Sequence, residues 1–106
     1  MSAAAIAAVP TAHGAKYAQQ LTKHWSHNLT TEYAHGVGKV TFPAQGRSGD
    51  WAGDALLTLT AHDDRLDCRI EASEPDQLGA LKGVVASHLD RFAFREAPLS
   101  FDWQDA

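Results

Sequence analysis

The sequence predicts an α+β domain of two layers, in which an antiparallel sheet of five or six strands carries two helices on one face. Residues 55–72 alternate apolar and polar side chains, as an antiparallel hairpin with one wet face does. Two longer segments carry apolar side chains at helical spacing, and a sheet covered on one face by two helices buries all of these surfaces together. The predicted order is β-α-β-β-β-β-α-β, with strands at 3–9, 31–35, 38–42, 55–61, 66–72 and 99–103 and helices at 12–27 and 74–93.

The first strand is a short run of small apolar residues. Thr11 is placed to cap the helix that follows, in which Tyr17, Leu21 and His24 fall on one stripe. The next two strands are β-rich runs joined by a turn that contains glycine. Residues 43–53 contain three glycines and one proline, which predicts a loop, and Trp51 within it is the aromatic residue that we expect to be most exposed.

The composition predicts one domain over residues 1–106. The formal charge of −4 argues against general nucleic-acid binding, which needs a basic surface. No apolar run is long enough to span a bilayer, and the short apolar N-terminus lacks a basic region, so we predict neither a membrane segment nor a signal peptide. Cys68 is the only cysteine, which rules out an intrachain disulfide and fits a cytoplasmic location.

Histidines near the predicted helix ends are the first candidates for a site. In TKHWSHN (22–28), His24 and His27 are three residues apart, a spacing that metal ligands use on a helix. His24 lies on the apolar stripe, so we expect it to be packed, with burial lowering its pKa, whereas His27 lies nearer water. A transition metal needs further ligands, and only His88 offers itself. We therefore predict no metal and no cofactor.

The flanks of the two apolar stripes predict how the helices pair. Both helices carry small residues on the same rotational side, and glycine inside a helix is unfavourable enough to indicate a close approach. If these sides face each other, the helices run antiparallel, and His24 and His88 lie far apart. The small residues are Ala15, Ala18 and Thr22 in the first helix and Gly79, Gly83 and Ala86 in the second.

The opposite flanks are basic, with Lys16, Lys23 and His27 on the first helix and His88, Arg91 and Arg95 near one side of the second. Basic side chains suit the last turns of helices, which is the simpler interpretation. Arginine also binds carboxylates and phosphates with two hydrogen bonds, so a small anionic ligand is the other interpretation. The candidate ligand-binding residues are His24, His27, His88, Arg91, Arg95 and Trp51.

No grouping in the sequence meets the requirements of catalysis. Ser87 and His88 are neighbours whose side chains diverge on a helix, and Asp63 and Asp64 fit a hairpin turn. Cys68 falls on the core face of its strand, where a thiol is inert. We predict no catalytic residues, and the sequence favours a function that is not enzymatic without deciding it.

Three stretches, KYAQQLTKHWSHN (16–28), ASHLDRFAFRE (86–96) and LSFDW (99–103), resemble the bacterial family catalogued as domain of unknown function 2218. The resemblance covers nearly the whole chain and implies a small α+β domain, although the segment 43–53 is longer than the family's usual turn. Similar domains are sometimes joined to siderophore-interacting, flavin-binding reductase proteins. The resemblance therefore implies a link to iron or siderophore handling and a siderophore-interacting protein as partner. It implies no catalytic residues.

Two functions follow from these observations. The first is a non-catalytic binding or accessory module that takes a small anionic ligand. The alternative is a protein-interaction or self-associating domain without a small ligand, which would use an exposed sheet edge or the flank that contains Gly79 and Gly83.

Overall fold

The structure, a computed structural model, describes residues 3–46 and 49–106. Within these residues the elements follow the predicted order, except that a short hairpin lies inside the predicted loop. The strands are β1 (Ala3–Pro10), β2 (Thr30–Ala34), β3 (Val37–Phe42), β4 (Gln45–Gly46), β5 (Gly49–Asp50), β6 (Ala55–Ala61), β7 (Arg65–Ala72) and β8 (Gln104–Asp105), and the helices are α1 (Gly14–Trp25) and α2 (Pro75–Phe92).

Six strands form one antiparallel sheet in the order β2-β3-β6-β7-β1-β8, and β4 pairs with β5 separately. The register of β6 and β7 places Leu57 opposite Ile70 and Leu59 opposite Cys68. Successive side chains on a strand point to opposite faces, so these matched pairs put the apolar side chains of both strands on one face. All four side chains are fully buried. The predicted hairpin is confirmed.

Both helices pack on that apolar face. The buried side chains of the strands and of both helices form one continuous core. The helices also contact each other, through His24 and His88, which helices on opposite faces of a sheet cannot do. The other face of the sheet is more polar and carries ion pairs such as Arg69 with Glu71 at 3.1 Å, although Ile6 and Leu56 also lie on it. The predicted α+β fold, with an antiparallel sheet and two helices, is confirmed.

The predicted strand at 99–103 is wrong. These residues form no ladder, and pairing with β1 begins only at Gln104, which lies opposite Ile6. Phe101 and Trp103 stack on each other with ring centroids 5.8 Å apart and pack against the core. The alternation of side chains is therefore real, but it reflects an extended chain that packs beside the sheet rather than a paired strand.

Two of the three small residues of α1, Ala18 and Thr22, face the sheet and not α2, whereas Ala15 is exposed, which corrects the predicted helix pairing. Ala18 and Thr22 are buried, and a Cβ added to Gly38 of β3 would lie 2.5 Å from Thr22 Oγ1. The close approach is thus between a helix and a strand. In α2, a Cβ added to Gly79 or Gly83 would meet nothing within 4 Å. The flank that carries these glycines is open.

Candidate functional site

The two helices run antiparallel, with their basic flanks opposed. Tyr17, early in α1, donates a hydrogen bond from its hydroxyl to Glu96, just beyond the end of α2. His24, late in α1, packs against His88, with ring centroids 5.7 Å apart, and against Phe92 at 5.6 Å. The prediction that His24 and His88 lie far apart is wrong. The helices do run antiparallel, and flanks on the same rotational side do face each other. However, the flanks that meet carry His24 and His88, and not the small residues.

His24, Trp25 and His88 form an aromatic cluster at the carboxyl end of α1. The Trp25 ring centroid lies 4.9 Å from that of His88, and Trp25 is buried. The Nδ1 atom of His88 lies 2.7 Å from the carbonyl oxygen of Val84. A carbonyl oxygen only accepts, so Nδ1 carries a proton, and Nε2 is the nitrogen of the neutral ring that can accept a hydrogen bond. This bond fixes the tautomer of His88.

The predicted burial of His24 is wrong, because its side chain lies at the surface of the cluster and is exposed. Its pKa is nevertheless lowered from the ordinary value of 6.5, mainly because the surrounding protein removes water from one side of the ring. The neighbouring groups His88, Arg91 and His27 lower it further by charge repulsion. The lowered pKa thus shows that these basic groups lie close enough to His24 to act on it. His27 is exposed, as predicted.

A cavity of about 400 Å³ opens beside this cluster, which we call the histidine cavity. Apolar side chains from α1, β3 and α2 form most of its wall, and two imidazoles and one amide supply its polar groups. The lining residues are His24, Trp25, Asn28, Leu29, Phe42, Pro43, Gly46, Leu81, Val84 and His88. The Phe42 ring meets that of Trp25 edge to face, with centroids 5.1 Å apart and planes at 80°, which gives the cavity a rigid aromatic wall.

A second, smaller cleft of about 170 Å³ lies towards the other end of the two helices. Lys16 and Tyr17 of α1 line it, together with Phe92, Phe94 and Arg95. The Arg95 guanidinium lies 5.7 Å from the centroid of the Phe94 ring. Phe94 is the one large hydrophobic side chain among the described residues that is exposed, at 71%.

Glu96 anchors the segment after α2 to the start of the domain. Its carboxylate accepts hydrogen bonds from the hydroxyls of Tyr17 and Thr11, the latter at 3.0 and 3.1 Å. The hydrogen bond to Glu96, together with burial, raises the pKa of Tyr17 to about 12, and the same bond lowers the pKa of Glu96. The prediction that Thr11 caps α1 is wrong, because the N-cap residue is His13. Thr11 Oγ1 instead accepts a hydrogen bond from the His13 amide.

The predicted ligand-binding residues therefore separate into three places. His24 and His88 line the histidine cavity, with Arg91 and His27 beside them, whereas Arg95 lines the second cleft. Trp51 lines neither and is half-buried, so its predicted exposure is wrong. Its backbone amide donates to Ala44, and its ring packs against Gly49, so the β4–β5 hairpin folds back on itself. Sequence reasoning missed the apolar wall, because an apolar residue on a helix or strand carries no signal that separates a cavity wall from the core.

Comparison with known proteins places this geometry in a family. Residues 6–104 match the family described as "Uncharacterized protein conserved in bacteria (DUF2218)". The chain belongs to the DUF2218 family. The predicted resemblance is confirmed.

This DUF2218 domain is also similar to a solved structure, "NMR structure of PA4090 from Pseudomonas aeruginosa". The two are 29% identical, with a TM-score of 0.73, and the alignment covers 95% of this chain and 94% of that one. No curated protein matches the chain. Among the described residues of the domain, neither helix combines the length and apolar character needed to cross a bilayer, and no group of three or more metal-ligating side chains occurs.

Proposed function

We propose that this domain is a non-catalytic binding module and that its ligand is a small molecule held in the histidine cavity. The observation that carries the proposal is the cavity itself, which combines apolar walls with a few polar groups. Its volume of about 400 Å³ falls in the range typical of small-molecule sites. His24 and His88 stand at its polar side, where a ligand can form hydrogen bonds.

The environments of three potential nucleophiles or acids, Ser87, Cys68 and Glu96, favour binding over catalysis. Ser87 donates its hydroxyl to the Val84 carbonyl oxygen of its own helix, at 3.2 Å. Burial raises the pKa of Cys68 to about 12, so its thiol stays protonated. The Glu96 carboxylate is held by Tyr17 and Thr11. None of these groups is paired with a base that would activate it, within the part of the chain that the structure describes.

A narrower form of the proposal is a role in iron or siderophore handling, with a siderophore-interacting protein as partner. Its support is that similar domains are sometimes joined to siderophore-interacting proteins. The basic groups at the cavity suit an anionic group of such a ligand. We also propose a cytoplasmic location, which the single buried cysteine supports.

The test is an NMR titration of the labelled protein with a set of small fragments and with ferric siderophores. Val84→Phe fills the cavity, and Ser87→Phe adds the same ring to an exposed position of the same helix. We expect shift changes at the lining residues that disappear in Val84→Phe and remain in Ser87→Phe. The proposal is wrong if no compound shifts these signals, or if Val84→Phe binds as well as the parent.

We propose self-association as a second candidate function, because Phe94 is 71% exposed beside Arg95. An exposed aromatic side chain next to arginine is typical of the centre of a protein interface. Sedimentation of the parent and of Phe94→Ser at the highest soluble concentration tests it. We expect a concentration-dependent dimer that the substitution abolishes, and a parent that stays monomeric throughout would exclude it.

A further inference from the structure

The charged side chains of the domain are distributed unevenly between its two sides. All four ion pairs among the described residues involve β7 or the turn before it, on the polar side of the sheet. On the helical side, the side chains of Lys16, Lys23 and Arg91 form no ion pair and no hydrogen bond within the described residues, and the Arg95 guanidinium lies over the Phe94 ring. In an acidic protein, most of the basic side chains without an ion pair thus lie along the helices, with Lys39 of β3 as an exception among the described residues.

Three basic groups, His24, His88 and Arg91, lie at or beside one end of the histidine cavity. His24 and His88 line it, and Arg91 follows His88 by one helical turn. The pKa of His24 is lowered mainly by desolvation, and charge repulsion from His88 and Arg91 lowers it further. Like charges held together without a carboxylate raise the free energy of the charged state, and a bound anion removes that repulsion.

Apart from the Asn28 amide, the remaining wall of the cavity is apolar. Leu29, Leu81 and Val84 provide aliphatic surface, and Phe42 and Trp25 form the aromatic wall. Such a surface binds the face or edge of a ring and offers no partner to a second charge. A ligand that satisfies the whole cavity is therefore apolar along most of its length and negative at one end.

We propose that the histidine cavity binds a small aryl carboxylate, with the ring against the Trp25–Phe42 wall and the carboxylate between His24, His88 and Arg91. This inference rests on the proposed function, since it names the ligand class of the same cavity. Arg91 can form two parallel hydrogen bonds with a carboxylate, and because Nδ1 of His88 is bound to Val84, Nε2 is the nitrogen of that ring left to interact with the ligand. The volume of about 400 Å³, at the low end for ligand sites, suits a compound with one ring.

Binding of such an anion is linked to protonation. The titratable and charged groups that act on His24 are His27 on its own helix and His88 and Arg91 on α2. The described residues that line the cavity from β3 and the segment after it are Phe42, Pro43 and Gly46, which do not titrate. The carboxylate stabilises protonated imidazole, so affinity rises as the pH falls below the ordinary histidine range, provided that the ligand stays ionised.

Benzoate and benzamide test the proposal, because they have the same shape and differ in charge. Titrations are followed by NMR at about pH 5.5 and about pH 8, on either side of the ordinary histidine pKa. We expect benzoate to bind about tenfold or more tightly than benzamide at the lower pH, as charge-assisted hydrogen bonds imply, with a smaller difference at the higher pH. Shifts should be centred on Trp25, Leu81 and Val84.

The matched variants are Arg91→Gln and Lys82→Gln, each of which removes one positive charge from α2. Lys82 is not among the residues that line the cavity or act on His24. Arg91→Gln should weaken benzoate about tenfold and leave benzamide unchanged, and Lys82→Gln should change neither.

Failure of the inference is distinguishable from failure of the proposed function. Equal binding of benzoate and benzamide, or benzoate shifts centred on Lys16 and Arg95, overturns the anion assignment while the cavity remains a ligand site for other fragments. If no compound of any class perturbs the cavity, the proposed function is wrong as well.

Discussion

Alanine at positions 79 and 83 should stabilise the domain, because both glycines lie inside α2 on its open flank. A Cβ at either position meets nothing within 4 Å, and neither glycine has positive φ. Alanine is favoured over glycine in a helix interior by about 1 kcal/mol, so Gly79→Ala with Gly83→Ala should raise the free energy of unfolding by about 2 kcal/mol. For a domain of this size, Tm should rise by roughly 8 °C or more.

Urea unfolding followed by circular dichroism measures this change, and Gly38→Ala is the matched control. A Cβ on Gly38 would lie 2.5 Å from Thr22 Oγ1, so the same chemical change should there lower the free energy of unfolding by roughly 1–3 kcal/mol. If the double variant at 79 and 83 is neutral or less stable, these glycines face a close contact. That result would refute the open flank and favour self-association through it, especially if stability depended on protein concentration.

Three further predictions concern single side chains. The lowered pKa of His24 means that the unfolded chain takes up this proton at a higher pH than the folded chain does. The free energy of unfolding should therefore rise with pH through the window below 6.5. His24→Gln should reduce that slope in urea titrations. Tyr17→Phe removes the donor to Glu96 and should lower the free energy of unfolding by roughly 0.5–1.5 kcal/mol. The pKa of Glu96 should rise, which carboxyl NMR detects. An unchanged Glu96 pKa would contradict the hydrogen bond. Cys68, which is fully buried and has a pKa raised to about 12, should react with a disulfide reagent only after denaturation, and rapid reaction of the native protein would contradict its burial.

The fold was predictable because most elements carry a strong period. The alternation in residues 55–72 and the stripe from Leu78 to Phe92 each require one buried face, and one sheet covered by two helices buries both. The segment 99–103 misled the prediction, since alternation requires only an extended chain, whereas a strand requires a partner for its backbone. The β4–β5 hairpin was missed, because two-residue strands carry no period.

The site was only partly predictable, because helical spacing gives the angle of a residue on its own helix and not the neighbour it meets. His24 and His88 were identified individually, but two pairs of flanks fit an antiparallel arrangement equally well. The choice between them depends on Gly38, because the absence of a side chain there lets Ala18 and Thr22 of α1 pack closely on the sheet. The histidine flanks then face each other. Gly38 lies far from Ala18 and Thr22 in the sequence, so no local pattern predicts that they are in contact.

The opposed histidine flanks of α1 and α2 are tested most directly by nuclear Overhauser effects between aromatic protons in the free protein. With ring centroids 5.7 Å apart for His24 and His88 and 4.9 Å apart for Trp25 and His88, we expect cross-peaks within both pairs. Cross-peaks from Ala15 or Ala18 to Gly79 or Gly83, with none between the two imidazoles, would contradict the arrangement and with it the histidine cavity.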